Sequence, residues 1–367
     1  MTAKYRQVRD EILSWIHSSR LQPGSRLPSE HEIAEQFEVS RQTVRQALGE
    51  LMRDGWLNRI QGKGTFVTEP VVRTTSHDKT VGVITTYISD YIFPQIVQGI
   101  EARLREEGYR LLLASTDNDP DKERECLEMM LSQSPAALIV EPTRSGERSR
   151  NLNYFLTIEN RQIPYLMINA SYEEMDSPCL RMDDERGGFL ATEHLIELGH
   201  RRIAGFFKTD DMQGVRRMRG FVAAHRKHHI PLQPSLIFTY TTEDKHSAPL
   251  EQARRLIAAA RSERATGWVL YNDELAVTLL QAVREAGLRV PEELSMVGFD
   301  DSFLATATEV KLTTMSHPKH ALGTAAAELI LQMLEGRGHV DEKIHAPELI
   351  CRESTAPPLL LRNEPQE

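Results

Sequence analysis

Between Arg41 and Lys63 the chain gathers side chains that can read a base edge or hold a phosphate: Arg41, Gln42, Arg45 and Gln61, with Lys63 close by. A guanidinium presents a planar fork that matches the O6 and N7 acceptors of guanine, and a carboxamide matches N6 and N7 of adenine. Lys and Arg also neutralise phosphates, which fixes a protein on DNA without specifying sequence. One arginine of this kind is an ordinary surface charge. Four base-reading groups on the outward faces of one short segment predict DNA binding.

The elements that must hold them are legible around them. Ser29 can cap a helix, with Glu32 three residues on reaching back as a capping box, and Ile33, Ala34 and Phe37 then share a face. A second start comes at Ser40. From there Val44, Ala47, Leu48, Leu51 and Met52 recur at helical spacing, which turns Arg41, Gln42, Arg45, Gln46, Gly49 and Arg53 outward. Only Glu38 and Val39 separate the two patterns, so the second helix crosses the first steeply and projects its N-terminal turn, as a major-groove helix must. Residues 56–60 and 65–67 read as strands joined by Gln61, Gly62, Lys63 and Gly64, a glycine-rich tip able to approach a phosphate closely. The sum is a winged helix-turn-helix.

A second group of polar residues follows a different rule. From Val81 onward short apolar runs (VGVIT, RLLLA, ALIV, PYLMI, RIAGFF, LIFTY, GWVLY, SMVGF, KLTTM) alternate with helical stretches at 94–107, 121–133, 185–198, 215–228, 249–260, 274–286 and 319–335. Such alternation predicts βαβ units and parallel sheets. The strands are too many for one open sheet, and a division near residues 164–178 gives two doubly wound, Rossmann-like lobes. Ligands bind at the carboxyl ends of such strands, and two facing lobes form a cleft that hinges. Those ends carry Tyr87 and Tyr91, Glu141, Asp183 and Asp184, Arg216 and Arg217, Asn272 and Asp273, Asp300 and Asp301, and His317. Carboxylates, amides, guanidinium groups and a few tyrosines suit a sugar, whose hydroxyls both donate and accept and whose ring faces stack on aromatics. Asn272 can cap the following helix, which leaves Asp273 for the ligand.

Composition sets the bounds. At 367 residues with 40% hydrophobic content the chain can bury two or three cores. No stretch approaches a membrane span and the N-terminus lacks an apolar signal region, so a cytoplasmic protein is expected. Cys126, Cys179 and Cys351 are scattered and suggest neither a disulfide framework nor a metal spacing. Residues 1–70 hold 10 Lys or Arg against 9 Asp or Glu, so the acidity of the chain, net −9, lies in the remainder. A weakly charged head must double itself by dimerisation to hold DNA. Residues 68–80, polar and without period, read as a linker between a DNA-binding domain at 1–67 and an effector-binding and dimerisation domain at 81–360.

Enzyme signatures are missing from the sequence: no GxxxxGK[ST] loop, no GxSxG elbow, no HExxH, and a GG pair at Gly187 and Gly188 without dinucleotide spacing. His225, His228 and His229 fit a solvated helix end better than a metal site. No enzyme activity, cofactor or metal is therefore expected.

Two resemblances complete the reading. LPSEHEIAEQFEVSRQTVRQALGELMRDGWL followed by GKGTFV resembles the DNA-binding domain of the GntR family of bacterial regulators over about the first 70 residues. In that family the start of the recognition helix and the wing carry the contacts, which implies Arg41, Gln42, Thr43, Arg45, Gln61 and Gly62 here. Some relatives carry an arginine where this chain has His31, and a contact from that position is left open.

RMDDERGGFLATEHLIELGHRRIAGF, VRRMRGFVAAH, LYNDELA, ELSMVGFDD and KLTTMSHP resemble the effector domain of LacI and GalR regulators and periplasmic sugar-binding proteins, over about residues 80–357. Carried onto matching positions, the effector contacts fall on Asp183, Arg217 and Asp273, with the chain crossing between lobes at His317. A GntR-like head on such a body is similar to the arabinose repressors of Gram-positive bacteria. That likeness implies a homodimeric repressor of operator DNA with L-arabinose as inducer, and Lys4 as a phosphate contact preceding the first helix. A different sugar or nucleoside, or a DNA-binding dimer that senses nothing, are the alternatives.

Overall fold

The computed structural model describes the chain apart from residues 1–3, 18–20, 23, 54–55, 61–63, 68–78, 89–90, 337–341 and 360–367. It forms two compact units, one from the elements up to Val67 and one from those starting at Thr80.

The first unit holds α1 (Lys4–His17), α2 (Glu30–Gln36), α3 (Arg41–Arg53), β1 (Leu57–Ile60) and β2 (Gly64–Val67). Val8, Ile12 and Trp15 of α1 close its core over Ile33, Val44, Leu48 and Leu51. β1 and β2 pair antiparallel from Leu57↔Val67 to Ile60↔Gly64. Arg26 bridges Phe66 on the other edge of β2.

The second unit runs β3 (Thr80–Thr85), α4 (Phe93–Glu106), β4 (Arg110–Ser115), α5 (Pro120–Ser132), β5 (Ala137–Val140), α6 (Leu152–Asn160), β6 (Tyr165–Ile168), β7 (Cys179–Met182) and α7 (Asp184–Glu197). It continues with β8 (Ile203–Lys208), α8 (Met212–Lys227), β9 (Ile237–Tyr240), α9 (Ala248–Ala258), β10 (Gly267–Leu270), α10 (Asp273–Glu285) and β11 (Ser295–Asp300). The last elements are α11 (Leu304–Ala307), β12 (Thr313–Ser316), α12 (Lys319–Leu334), β13 (Lys343–His345) and β14 (Leu349–Ile350).

Two six-stranded sheets result, ordered β13-β7-β6-β5-β3-β4 and β14-β12-β11-β10-β8-β9. Every pairing is parallel except β12 with β14. Helices cover both faces of each sheet, which is why β5, β6, β8, β10 and β11 are buried along their whole length and read as unbroken apolar runs. In the first lobe Val81, Val83 and Ile139 face α4 and α12, while Ile84, Leu138 and Val140 face α5 and α6. Each fully buried Ile or Leu here contributes about 1.5–3 kcal/mol.

The lobes are not consecutive halves. The division expected near residues 164–178 falls later, because β6 and β7 stay in the first sheet and the chain crosses only between Met182 and Asp184. It returns between β12 and α12, since α12 packs on α4, and crosses again between β13 and β14. Three strands of chain therefore form the hinge. In the second lobe α7 and α8 touch backbone to backbone: a Cβ on Gly188 would lie 2.1 Å from the Arg217 carbonyl oxygen, and one on Gly220 would lie 2.0 Å from that of Glu185. Only glycine permits this approach.

Candidate functional site

In the small unit, the Ser29 hydroxyl accepts from the Glu32 N–H (3.3 Å) and the Glu32 carboxylate accepts from the Ser29 N–H (2.7 Å), which fixes the start of α2. Glu38 turns the chain in the left-handed region, φ 51°. The Ser40 hydroxyl then accepts from the Thr43 N–H (3.2 Å) and starts α3. With Val44, Ala47, Leu48 and Leu51 buried, Arg41, Gln42, Arg45 and Gln46 stand exposed on the opposite face of α3. The Thr43 hydroxyl is hydrogen-bonded to that of Ser40 at 2.8 Å. Arg45 donates from Nε to the Glu30 carboxylate at 2.8 Å. Gln61, Gly62 and Lys63 lie outside the described residues. Lys4 is exposed and is the first residue of α1 rather than a residue preceding it. His31 pairs with Glu35 at 3.4 Å and is itself exposed.

In the large unit a cavity of about 180 Å³ lies between the two lobes. That is below the 300–1,000 Å³ common for drug-sized ligands and suits one small molecule. The second lobe supplies Arg217 from α8. Its Nε donates to Asp184 (2.9 Å), Nη1 to the Tyr271 carbonyl (2.6 Å) and Nη2 to Asp300 (3.3 Å), and its guanidinium stacks 3.6 Å from the Phe299 ring centre. Burial opposes that charge, but Asp300 and Asp184 outweigh it and hold the pKa above the ordinary arginine value. Lys208, at the end of β8, pairs with Asp210 (2.8 Å) and Asp211 (3.0 Å) and stays charged for the same reason, since burial opposes its charge and Asp211 and Asp210 outweigh it.

The first lobe answers with Glu141. One of its oxygens accepts from the Thr86 N–H (2.8 Å) and hydroxyl (2.6 Å), the other from the Asn169 amide (2.8 Å). Burial pushes this carboxyl above its usual range, and those hydrogen bonds pull it part of the way back. Burial pushes His317 down to about 4, so its ring is neutral at pH 7. Three buried atoms of lining residues have no hydrogen-bond partner: Asp184 Oδ2, Asn169 Oδ1 and His317 Nδ1. Buried polar atoms without partners cost about 1–3 kcal/mol each, which a ligand's hydroxyls can recover.

The lobes meet across this cavity. The Tyr91 hydroxyl donates to the Phe299 carbonyl (2.7 Å) and accepts from the Asp273 N–H (3.1 Å). At the rim Asn118 donates to Thr242 (2.7 Å), Arg144 pairs with Glu243, and the Ser145 hydroxyl accepts from the Met212 N–H (2.9 Å). Tyr91 (φ 63°) and Asp300 (φ 89°) both sit in the left-handed region, as strained residues at binding sites often do.

Comparison with known proteins accords with both units. The model of bacterial regulatory proteins of the gntR family matches residues 4–67, and that of the periplasmic binding protein-like domain matches residues 192–355. An arabinose metabolism transcriptional repressor from Geobacillus stearothermophilus is 55% identical over 96% of this chain and 97% of that protein. One from Halalkalibacterium halodurans is 47% identical, over 97% of each. The chain belongs to this family of repressors. Among solved structures, a LacI family transcriptional regulator from Enterococcus faecium with bound ribose is 28% identical with a TM-score of 0.65, covering 76% of this chain and 99% of that one. The repressor is thus a non-enzymatic regulator with a GntR-type DNA-binding head and a LacI-like α/β body. Among the described residues no helix is long and apolar enough to cross a membrane, and no group of three or more His, Cys, Asp or Glu could hold a metal.

Of the strand-end residues singled out in the sequence, the repressor brings Tyr87, Tyr91, Glu141, Asp184, Arg217, Asn272, Asp300 and His317 to the cavity wall. Asp183, Arg216, Asp273 and Asp301 do not line it. Asp183 is the cap of α7, its carboxylate accepting from the Arg186 N–H at 2.9 Å, and its neighbour Asp184 faces the cavity instead. Asn272 does cap α10, but Asp273 turns its carboxylate away into the second sheet, where it accepts from Thr314 (2.6 Å) and from the N–H and hydroxyl of Ser302 (2.7 and 3.1 Å). Sequence reasoning passed over Lys208, Asp211, Tyr271 and Asn169. Lys208 carried a usable signal, the one charge at the end of the run IAGFFK.

Proposed function

We propose that this repressor binds a pseudo-palindromic operator as a homodimer, and that L-arabinose held between its lobes lowers that affinity. The observation that carries the sugar reading is the trio of unpartnered buried atoms, Asp184 Oδ2, Asn169 Oδ1 and His317 Nδ1, in one small cavity drawn from both lobes. Two acceptors and a ring nitrogen suit hydroxyls, each of which donates and accepts. Arabinose is favoured among small sugars by the names of the two relatives, and the bound ribose of the Enterococcus faecium regulator is likewise a pentose.

In this reading Arg41, Gln42, Thr43, Arg45, Gln61, Gly62, Lys63 and Lys4 contact DNA. Tyr87, Tyr91, Glu141, Arg217, Asn272 and His317 contact the sugar, with Asp184 in place of Asp183. Two heads on two half-sites supply the contacts that one head of weak net charge lacks. The sugar favours closed lobes and shifts the dimer toward the arrangement that fits the operator less well. Linkage then requires operator and sugar to weaken each other by the same factor.

Calorimetry of the full chain with L-arabinose, D-ribose, D-galactose and a nucleoside tests the ligand. Saturable binding of L-arabinose, lost in Arg217→Ala, is expected. Binding of another of these instead moves the reading to that ligand, and binding of none refutes the sensor.

A further inference from the structure

One carboxylate in the DNA-binding head links the polar faces of three elements, α2, α3 and β1, whose apolar faces share one core. Glu30, in the first turn of α2, has its Oε2 2.8 Å from Nε of Arg45 on α3 and its Oε1 3.4 Å from Nη2 of Arg59 on β1. The carboxylate is the covered partner, 22% exposed, while Arg45 and Arg59 are 67% and 62% exposed. A pair of such exposure adds little to stability. Its geometry has another effect. With Nε of Arg45 turned to Glu30, its two terminal nitrogens point away as the fork that a bidentate guanine contact uses. Two guanidinium groups that would repel and sample many rotamers are held at one spacing before DNA arrives, which removes an entropy cost from the specific complex. A fixed negative charge beside them also opposes loose phosphate binding.

We propose that Glu30 is a positioning residue for base reading, holding Arg45 and Arg59 in register between recognition helix and wing. The proposal rests on Arg45 contacting a base, and its test separates the two ideas. The wild-type full chain selects duplexes from a library randomised over about 20 base pairs, room for two half-sites. Affinities of wild type, Arg45→Ala, Glu30→Ala, Glu30→Gln and the double variant Glu30→Ala/Arg45→Ala are then measured for the selected duplex and for random duplex, and each variant repeats the selection.

Glu30→Ala is expected to weaken the selected duplex about tenfold, to leave random duplex unchanged or bound more tightly, and to lose the same base preference that Arg45→Ala loses. In the double variant the Glu30 loss adds nothing. Circular dichroism reports the fold, and Glu30→Gln, which keeps the shape and one acceptor, carries the test if Glu30→Ala unfolds. Equal weakening of selected and random duplex, unchanged binding, or full additivity with Arg45→Ala overturns the role of Glu30. An intact motif in Arg45→Ala overturns the Arg45 reading on which it stands.

Discussion

Arg217 shows how the charges of the cleft are kept in a buried place. It is paired on two sides with Asp184 and Asp300 and capped by the Tyr271 carbonyl. Arg217→Ala leaves two buried carboxylates without their counter-charge and is expected to cost about 3–5 kcal/mol in urea unfolding. Arg217→Lys, a point charge without the fork, does not restore it. His317 carries the opposite condition, because burial holds its folded pKa at about 4 against an ordinary 6.5. The folded state resists the proton that the unfolded chain takes up. Stability from this group is therefore complete above pH 6.5 and lost as pH falls toward 4, by up to about 3 kcal/mol. Asp273 runs the other way, since burial lifts it to about 7 and its contribution falls as pH rises from 3.8 to 7. The difference between wild type and His317→Asn isolates the histidine: melting temperatures measured from pH 7 to 4 are expected to fall less steeply in the variant. Parallel curves would contradict this.

At the scale of elements, what the sequence declares is local. The capping box at Ser29, the cap at Asn272 and the apolar runs of strands buried on both faces were all legible, since each depends on neighbours within a few residues. α6 was missed because only Phe155 and Ile158 mark its buried face, and β13 because Lys343, Ile344 and His345 form an exposed edge with no apolar pattern. Asp183 was singled out over Asp184 by the resemblance alone; locally, α7 starts one residue earlier than its pattern suggested, which makes Asp183 the cap and turns Asp184 to the cavity. The α7–α8 crossing could not be read from the sequence, although it sets the distance between Asp184 and Arg217. Gly188→Ala drives a methyl group into the Arg217 backbone, 2.1 Å from its carbonyl oxygen, and is expected to cost about 1–3 kcal/mol and to weaken sugar binding together with stability. Unaltered sugar affinity in that variant would mean that the crossing does not position Arg217.

At the scale of the whole molecule, the two-lobed body was legible from the number of strands, and the resemblance placed one crossing at His317, between β12 and α12, but the other two crossings of the hinge were not legible. Three crossings arise because α12 packs on the first lobe and β14 on the second, a matter of distant packing that no local pattern records. Contacts across the rim, among them Arg144 with Glu243, hold the lobes together. Arg144→Ala removes one exposed pair from the closed form alone and is expected to weaken L-arabinose binding by up to about fivefold in calorimetry, without changing binding to DNA in the absence of sugar. Equal sugar affinity would show that the rim does not report closure. In the proposed function, one ligand in this cleft and one operator on the heads compete through the same molecule. This competition is tested most directly by fluorescence anisotropy of the full chain on its selected duplex, titrated with and without saturating L-arabinose. An operator affinity at least about tenfold lower with the sugar is expected, a coupling of about 1.4 kcal/mol or more, with a matching loss of sugar affinity when the duplex is bound; superimposable titrations would contradict this coupling.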